Sequence, residues 1–312
     1  MLSRVGETLY WMSRYIERAE NVARLINVNN MLMMDLPKGV SAGWEPLVDI
    51  IGARKAYQET HTDFSEAKAL RYLLVGKDNF SSILNSIISA RESARTIRDV
   101  IPRDVWEEIN TLYYYVKDNQ NEGLSKRGRF AYLKTIINAA HQIFGTLDAT
   151  INHDVGFTFI RLGLMIERAD MTSRILDIRS ASLIEFEGED QAKPFENIQW
   201  ISLLRSMSAY QMYRQEMGVR VQRVDVMEFV VQGDIFPRSI MYCLMQVKSL
   251  ISPLPNSAEI IVSIDKTIEE LKAKDVRDLK AGNLHDYMDE IQIKLAGIHN
   301  NLAELYFLKP AE

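Results

Sequence analysis

Four charged side chains crowd the stretch YIERAENVAR (residues 15–24): Glu17, Arg18, Glu20 and Arg24. Carboxylates and guanidiniums at this density can do two kinds of work. A glutamate can move protons while arginines clamp an anionic substrate, or the set can close into an ion-pair network that fixes how helices register. The set is written twice, because MIERADMTSR (165–174) carries Glu167, Arg168, Asp170 and Arg174. Glu20 and Arg24, like Asp170 and Arg174, stand at i, i+4 with the acid first, the favourable order on a helix. Glu17 and Glu20 share a face beside Ile16, Ala19 and Ala23, so they border an apolar seam. Arg18 lies farther round, near Arg14 and Asn21, and reaches toward a different neighbour.

Other cations extend the candidate centre. RESARTIRD puts Arg91, Arg95 and Arg98 on one helical stripe, too close together without acids or a ligand between them. AYQMYRQE offers Tyr210, Tyr213 and Arg214. DIFPRS offers Asp234 and Arg238 at a helix start, where free backbone N–H groups favour anions. These residues are candidates for ligand or partner binding or for structural ion pairs, and none is assigned a catalytic role. No Walker loop or G-x-G-x-x-G occurs, so independent nucleotide binding is not expected. His61, His141, His153, His285 and His299 are scattered, none with Glu three residues before it. A ferritin-like di-iron bundle is therefore not expected, and neither a metal nor a cofactor is called. His153 and Asp154 read as a helix-start pair. Cys243 is the single cysteine, which excludes an internal disulfide and reads as a small buried hydrophobe.

The elements that must position these residues are helices. Leu2, Val5, Leu9, Met12, Ile16, Ala19, Ala23 and Ile26 recur at steps of three and four. Similar periodicity predicts helices near 44–57, 63–76, 78–99, 104–118, 127–150, 154–180, 199–217, 222–232, 237–252, 256–275 and 283–308. Thr62 and Asp63, Pro102 to Asp104, and Pro237 are start signals. No strand pattern competes, so the expectation is an all-α chain of about a dozen helices. PKGVSAG (37–43) and EGEDQAKP (187–194) are the most loop-like breaks, while NQNEG (119–123) and SPLPNS (252–257) read as turns. The run Met31 to Met34 reads as core packing, with a homodimer patch as the alternative.

Over 312 residues, 37 Lys and Arg against 42 Asp and Glu give a net charge of −5, which argues against a broad nucleic-acid footprint. Charges run through the first 18 residues and no long uncharged apolar run occurs, so neither a signal peptide nor a membrane span is expected. The cytoplasm is the default location.

A shift of about 150 lays VGETLYWMSRYIERAENVARLINV (5–28) on VGFTFIRLGLMIERADMTSRILDI (155–178). The offset drifts to about 156 at Trp44/Trp200 and Leu47/Leu203. Farther on, LLVGKDNFSS (73–82) meets VVQGDIFPRS (230–239) in near register, pairing Asp78 with Asp234 and Phe80 with Phe236. The expectation is a tandem duplication with halves 1–150 and 151–312, packed as one pseudo-two-fold bundle around the two Glu-Arg helices.

LYWMSRYIERAENVARL, ARESARTIRD, LGLMIERADMTSRIL, SAYQMYRQE and DIFPRS together resemble the bacterial alpha-E family, an all-helical domain named for its Glu-Arg motif. The likeness spans nearly the whole chain, and Gly6 and Thr8 depart from it locally. It implies association with a circularly permuted ATP-grasp protein, as neighbour or fused domain, and with a transglutaminase-like cysteine peptidase in an amide- or peptide-ligating system. Glu17/Arg18 and Glu167/Arg168 carry over as family markers, without a catalytic role. The leading expectation is an accessory partner of such a ligase, holding a peptide or acidic substrate in the duplicated centre. The alternative is an enzyme of that pathway with Glu17 or Glu167 as acid/base and Arg18, Arg168, Arg91 or Arg95 as the clamp.

Overall fold

A computed structural model describes residues 3–36, 42–184, 193–279 and 281–307. Among the described residues the secondary structure is helical throughout, with fifteen α-helices. They are α1 (Ser3–Asp35), α2 (Glu45–Ile50), α3 (Arg54–Thr60), α4 (Glu66–Val75), α5 (Ile83–Thr96), α6 (Arg103–Asp118), α7 (Gln120–Leu124) and α8 (Arg129–Thr150). There follow α9 (Val155–Ile184), α10 (Lys193–Ser206), α11 (Tyr210–Glu216), α12 (Arg223–Met227), α13 (Ile240–Ile251), α14 (Ala258–Ala273) and α15 (Ala281–Tyr306). A π-helical turn, Glu228–Gln232, continues α12, and a short 3-10 turn, Val276–Asp278, precedes α15. No helix of the described residues is long and apolar enough to cross a membrane.

Two compact units organise the chain. The first comprises residues 1–27, 43–167 and 303–312, the second residues 28–42 and 168–302. These units are defined by packing and interleave along the chain, whereas the halves 1–150 and 151–312 are defined by repetition in sequence. Of the expected acidic loop 187–194, residues 187–192 lie outside the described residues, and Lys193 opens α10. Residues 37–41 of the other expected loop lie outside them too.

Several expected helices are shorter or broken, each for a local reason. The helix expected over 44–57 divides into α2 and α3 at Gly52, whose φ of 70° a helix cannot contain. The helix expected over 199–217 divides likewise at Ser208, φ 54°. The helix expected from residue 78 starts instead at Ile83, because the Ser82 hydroxyl accepts from Asn85 N and caps it. Ser239 does the same for α13, accepting from Tyr242 N. At the expected start near Thr62, α4 begins only at Glu66, while α6 begins right after Pro102, as expected.

Local devices recur between the units. Tyr57 and Tyr213 are both fully buried, and each hydroxyl donates to a backbone carbonyl, of Asp63 at 2.8 Å and of Arg220 at 3.0 Å. Each ring meets another edge-on, Tyr72 at 89° and Phe229 at 87°. Gly52 and Ser208, like Tyr57 and Tyr213, stand 156 residues apart. Gly76 and Gly233 end their helices, Ser82 and Ser239 cap the next, and both pairs are 157 apart. At an offset of 157, Asp78 and Phe80 fall one residue away from Asp234 and Phe236. Phe80 is 86% exposed and stands opposite Pro237, while Phe236 is buried.

Candidate functional site

α1 carries an unusual load. Leu9, Met12, Ile16, Ala19, Ala23 and Ile26 are fully buried, as their spacing requires. Yet Ser13, Arg14, Glu17, Glu20, Asn21, Arg24 and Asn29 on the same helix are buried as well. A charge removed from water must be paired and hydrogen-bonded or it costs several kcal/mol, so the packing around α1 is dictated by where partners stand.

In the first unit the partner is Glu167 on α9. Arg14 Nε donates to Glu167 Oε2 at 2.7 Å. Arg18 donates from Nε to Oε1 at 2.6 Å and from Nη2 to Oε2 at 3.0 Å. Arg14 also lies over the Trp11 ring, 4.9 Å from its centroid, which caps the guanidinium on its apolar side. Glu167 is 1% exposed. Burial alone would raise its pKa, but the charges and hydrogen bonds of Arg18 and Arg14 outweigh burial and hold it at about 2. Gly163, one turn earlier on α9, lets the helices approach: a Cβ there would overlap Ser13 Oγ and the Tyr10 carbonyl. Ser13 against Gly163 and Arg18 against Glu167 make α1 and α9 run parallel in this unit.

A second cluster follows one turn along α1. Arg24 Nη2 donates to Glu20 Oε2 at 2.7 Å and to Asn21 Oδ1 at 2.6 Å, and His141 Nε2 of α8 lies 3.3 Å from Glu20 Oε1. Glu20 is fully buried and the His141 side chain is half exposed, so the imidazole is the solvent-facing edge of the cluster. Asn21 in turn reaches Glu17 Oε1 at 3.5 Å.

The second copy of the motif is built differently. Asp170 accepts from Arg174 Nε at 3.0 Å, but both side chains are partly exposed. Leu164 stands where the first copy has Arg14, so an Arg14-type donor has no counterpart there. Farther along in the second unit, Arg179 of α9 donates to Asn29 Oδ1 of α1 at 3.0 Å. The pairs Ser13/Gly163 and Asn29/Arg179 are both 150 residues apart, the offset of the sequence repeat.

The remaining candidates lie elsewhere. Arg91 donates to Asn110 at 2.7 Å and to Glu92 at 3.1 Å, and its guanidinium sits 4.5 Å from the Tyr113 ring. Glu92 takes Arg95 as well, at 2.7 Å, so the acid that stripe needed is on its own helix. These contacts run within α5 and α6 and do not join the Glu167 cluster. Arg214 is exposed and lies over the Tyr210 ring at 5.8 Å. Asp234 is exposed; Arg238 is buried, and its carbonyl accepts from Thr172 Oγ1 at 2.8 Å. The helix start beside them is capped by its own Ser239, whose hydroxyl accepts from Tyr242 N. Asp154 caps α9, accepting from Gly156 N at 2.7 Å, and Cys243 is buried; both match expectation.

Sequence reasoning passed over Arg14, Asn21 and His141 as members of the centre. Arg14 had a signal, standing one turn before Arg18. It also missed a group in the second unit, where Asp177, His285 and Asp289 bring one ligand atom each within 4.8 Å of one another, the disposition a divalent cation needs. Here His285 Nδ1 lies 2.8 Å from Asp177 and Nε2 lies 3.7 Å from Asp289, so the imidazole stands between two carboxyl groups. The hydrogen bond to Asp177 raises the His285 pKa, while burial raises that of Asp177.

An all-helical domain threaded on a buried Glu-Arg centre is the class that fold and site define. The chain matches, over residues 1–307, the Alpha-E family, described as a predicted alpha-helical domain with a conserved ER motif, and it belongs to that family. Among curated proteins it is similar to one of Mycobacterium bovis and two of Mycobacterium tuberculosis, each described as uncharacterized, at 24% identity over 97% of this chain. The chain spans only 36% of the length of those relatives. No solved structure matches it.

Proposed function

We propose that this domain is a non-catalytic binding module of an ATP-dependent amide- or peptide-ligating system in the cytoplasm, working with a circularly permuted ATP-grasp protein and a transglutaminase-like peptidase. One observation carries the non-catalytic part. Glu17 and Glu167 are each 1% exposed, and Glu167 is held ionised at about 2 between two guanidiniums. A general acid or base needs a reachable carboxyl that titrates near the working pH. The Glu-Arg centre therefore acts as a structural clasp, and the domain works through its surface. The partner class comes from the likeness of the separated motifs, and the coverage of 36% in longer relatives supports a module that serves alongside other chain. The recurring tyrosine, glycine and serine positions support an origin by tandem duplication.

The test is co-expression with a circularly permuted ATP-grasp protein, followed by co-purification and a ligation assay. A stable complex, or a change in ligation on adding the domain, is the expected result. No complex and no change would overturn the reading. A Glu17→Gln variant that stays folded while its complex loses all output would instead favour the enzyme alternative.

A further inference from the structure

Two helices of the second unit bring three ligand-bearing side chains to one spot. α9 supplies Asp177, whose side chain is 7% exposed. α15 supplies His285 and Asp289, which stand at i, i+4 and so share one face of that helix. One ligand atom from each residue lies within 4.8 Å of the other two. Ligand atoms about 2.1 Å from a tetrahedral ion lie about 3.4 Å apart, so closing the site asks no more than about 1.4 Å of movement. The side chains that must move, His285 and Asp289, are 61% and 54% exposed, with room to do so.

Hydrogen bonding does not account for the whole cluster. His285 Nδ1 meets Asp177 Oδ1 at 2.8 Å, within hydrogen-bond reach, but Nε2 lies 3.7 Å from Asp289 Oδ2, beyond it. That gap is too wide for a shared proton and close to the spacing of two ligands around one ion. Two carboxylates and a neutral imidazole carry two negative charges, which one divalent ion balances. Asp286, next to His285, adds a further negative charge to the same neighbourhood. The donor set also selects among ions. An imidazole suits zinc and its first-row neighbours, whereas magnesium and calcium favour oxygen ligands. Three protein ligands leave a fourth position to water.

We propose that Asp177, His285 and Asp289 bind a divalent first-row ion of the zinc type, which clips α15 to α9. The buried Asp177 anchors the site, and the exposed pair on α15 closes over the ion. Asp177 and His285 are 108 residues apart, and a metal clip that closes so long a loop gains the most stabilisation. The site does not depend on the proposed ligase partnership.

Calorimetric titration and thermal melting of the untagged full chain, stripped of metal with a chelator, test it, with Zn²⁺ as the probe and Mg²⁺ and Ca²⁺ as controls. Zn²⁺ should bind at one equivalent and raise the melting temperature saturably, since it binds the folded state. The ring signals of His285 in an NMR titration should shift in step with that binding. His285→Gln and Asp289→Asn change exposed side chains and should fold as the wild type. Each should weaken Zn²⁺ binding at least as much as the roughly ten- to hundredfold that loss of an outer-shell partner costs. Absence of saturable binding near one equivalent would overturn the proposal. So would undiminished binding in either variant, which would place the ion on other side chains, or Mg²⁺ or Ca²⁺ raising the melting temperature as far as Zn²⁺.

Discussion

Arg18 grips Glu167 with two donors, Nε to Oε1 at 2.6 Å and Nη2 to Oε2 at 3.0 Å, across 149 residues of chain. This fork, joined by Arg14, ties the middle of α1 to the middle of α9. It gives the buried carboxylate of Glu167 three charged donors.

Glu167→Gln leaves Arg14 and Arg18 facing a neutral amide in a closed site. Removing one member of a buried pair costs about 3–5 kcal/mol, against about 0–1 kcal/mol for an exposed pair such as Arg54 with Glu45, each side chain about 45% exposed. Urea denaturation should show a large fall in midpoint for Glu167→Gln with an unchanged slope, and almost none for Glu45→Gln.

Glu167 also sets an acid limit. Its folded pKa of about 2 lies below the ordinary value of 4.5. A depressed carboxylate contributes stability that is complete above the unfolded pKa and is lost as pH falls through the folded one, here between about 4.5 and 2. The contribution is roughly 3 kcal/mol. Stability measured across that window should fall with acid in the wild type and fall less steeply in Glu167→Gln.

His285 should titrate above an ordinary histidine because Asp177 accepts its Nδ1–H. Its raised pKa means a contribution to stability that is present below about 6.5 and is lost as pH rises through the folded value. An NMR titration of its ring protons should show the raised midpoint, and Asp177→Asn should return it toward the ordinary one.

Gly163→Ala would drive a methyl into Ser13 Oγ and the Tyr10 carbonyl. Overpacking costs about 1–3 kcal/mol, and Ser13→Ala should not rescue it because the backbone carbonyl remains. Gly145, inside α8, has nothing within 4 Å of an added Cβ. Gly145→Ala should therefore stabilise by about 0.5–1 kcal/mol through helix propensity. Paired melting curves would show shifts of opposite sign.

Ser208 and Gly52 occupy the same left-handed break, at φ 54° and 70°. Glycine bears that conformation without strain, whereas a side chain costs roughly 1–2 kcal/mol there. Ser208→Gly should raise the melting temperature and Gly52→Ala should lower it.

Much of the fold was legible because helices are written locally. The apolar steps of α1 predicted its fully buried stripe, and Pro102 marked the start of α6. The breaks at Gly52 and Ser208 were not legible, since neither interrupts the apolar periodicity. Ser82 and Ser239 were overlooked as caps, because a serine signals a helix start only when its hydroxyl meets a free N–H.

The amino-acid sequence by itself determined the all-helical class, the duplicated Glu-Arg words and the i, i+4 pairs Glu20–Arg24 and Asp170–Arg174. Each of those depends only on 3.6-residue geometry and on neighbours a turn away. Tertiary structure alone decided that Glu167 belongs to Arg14 and Arg18, that His285 answers Asp177 across 108 residues, and that Arg179 meets an amide rather than an acid. The reason is physical. A charge takes its energy from its depth and its partner, and both are set by which distant helix packs against it.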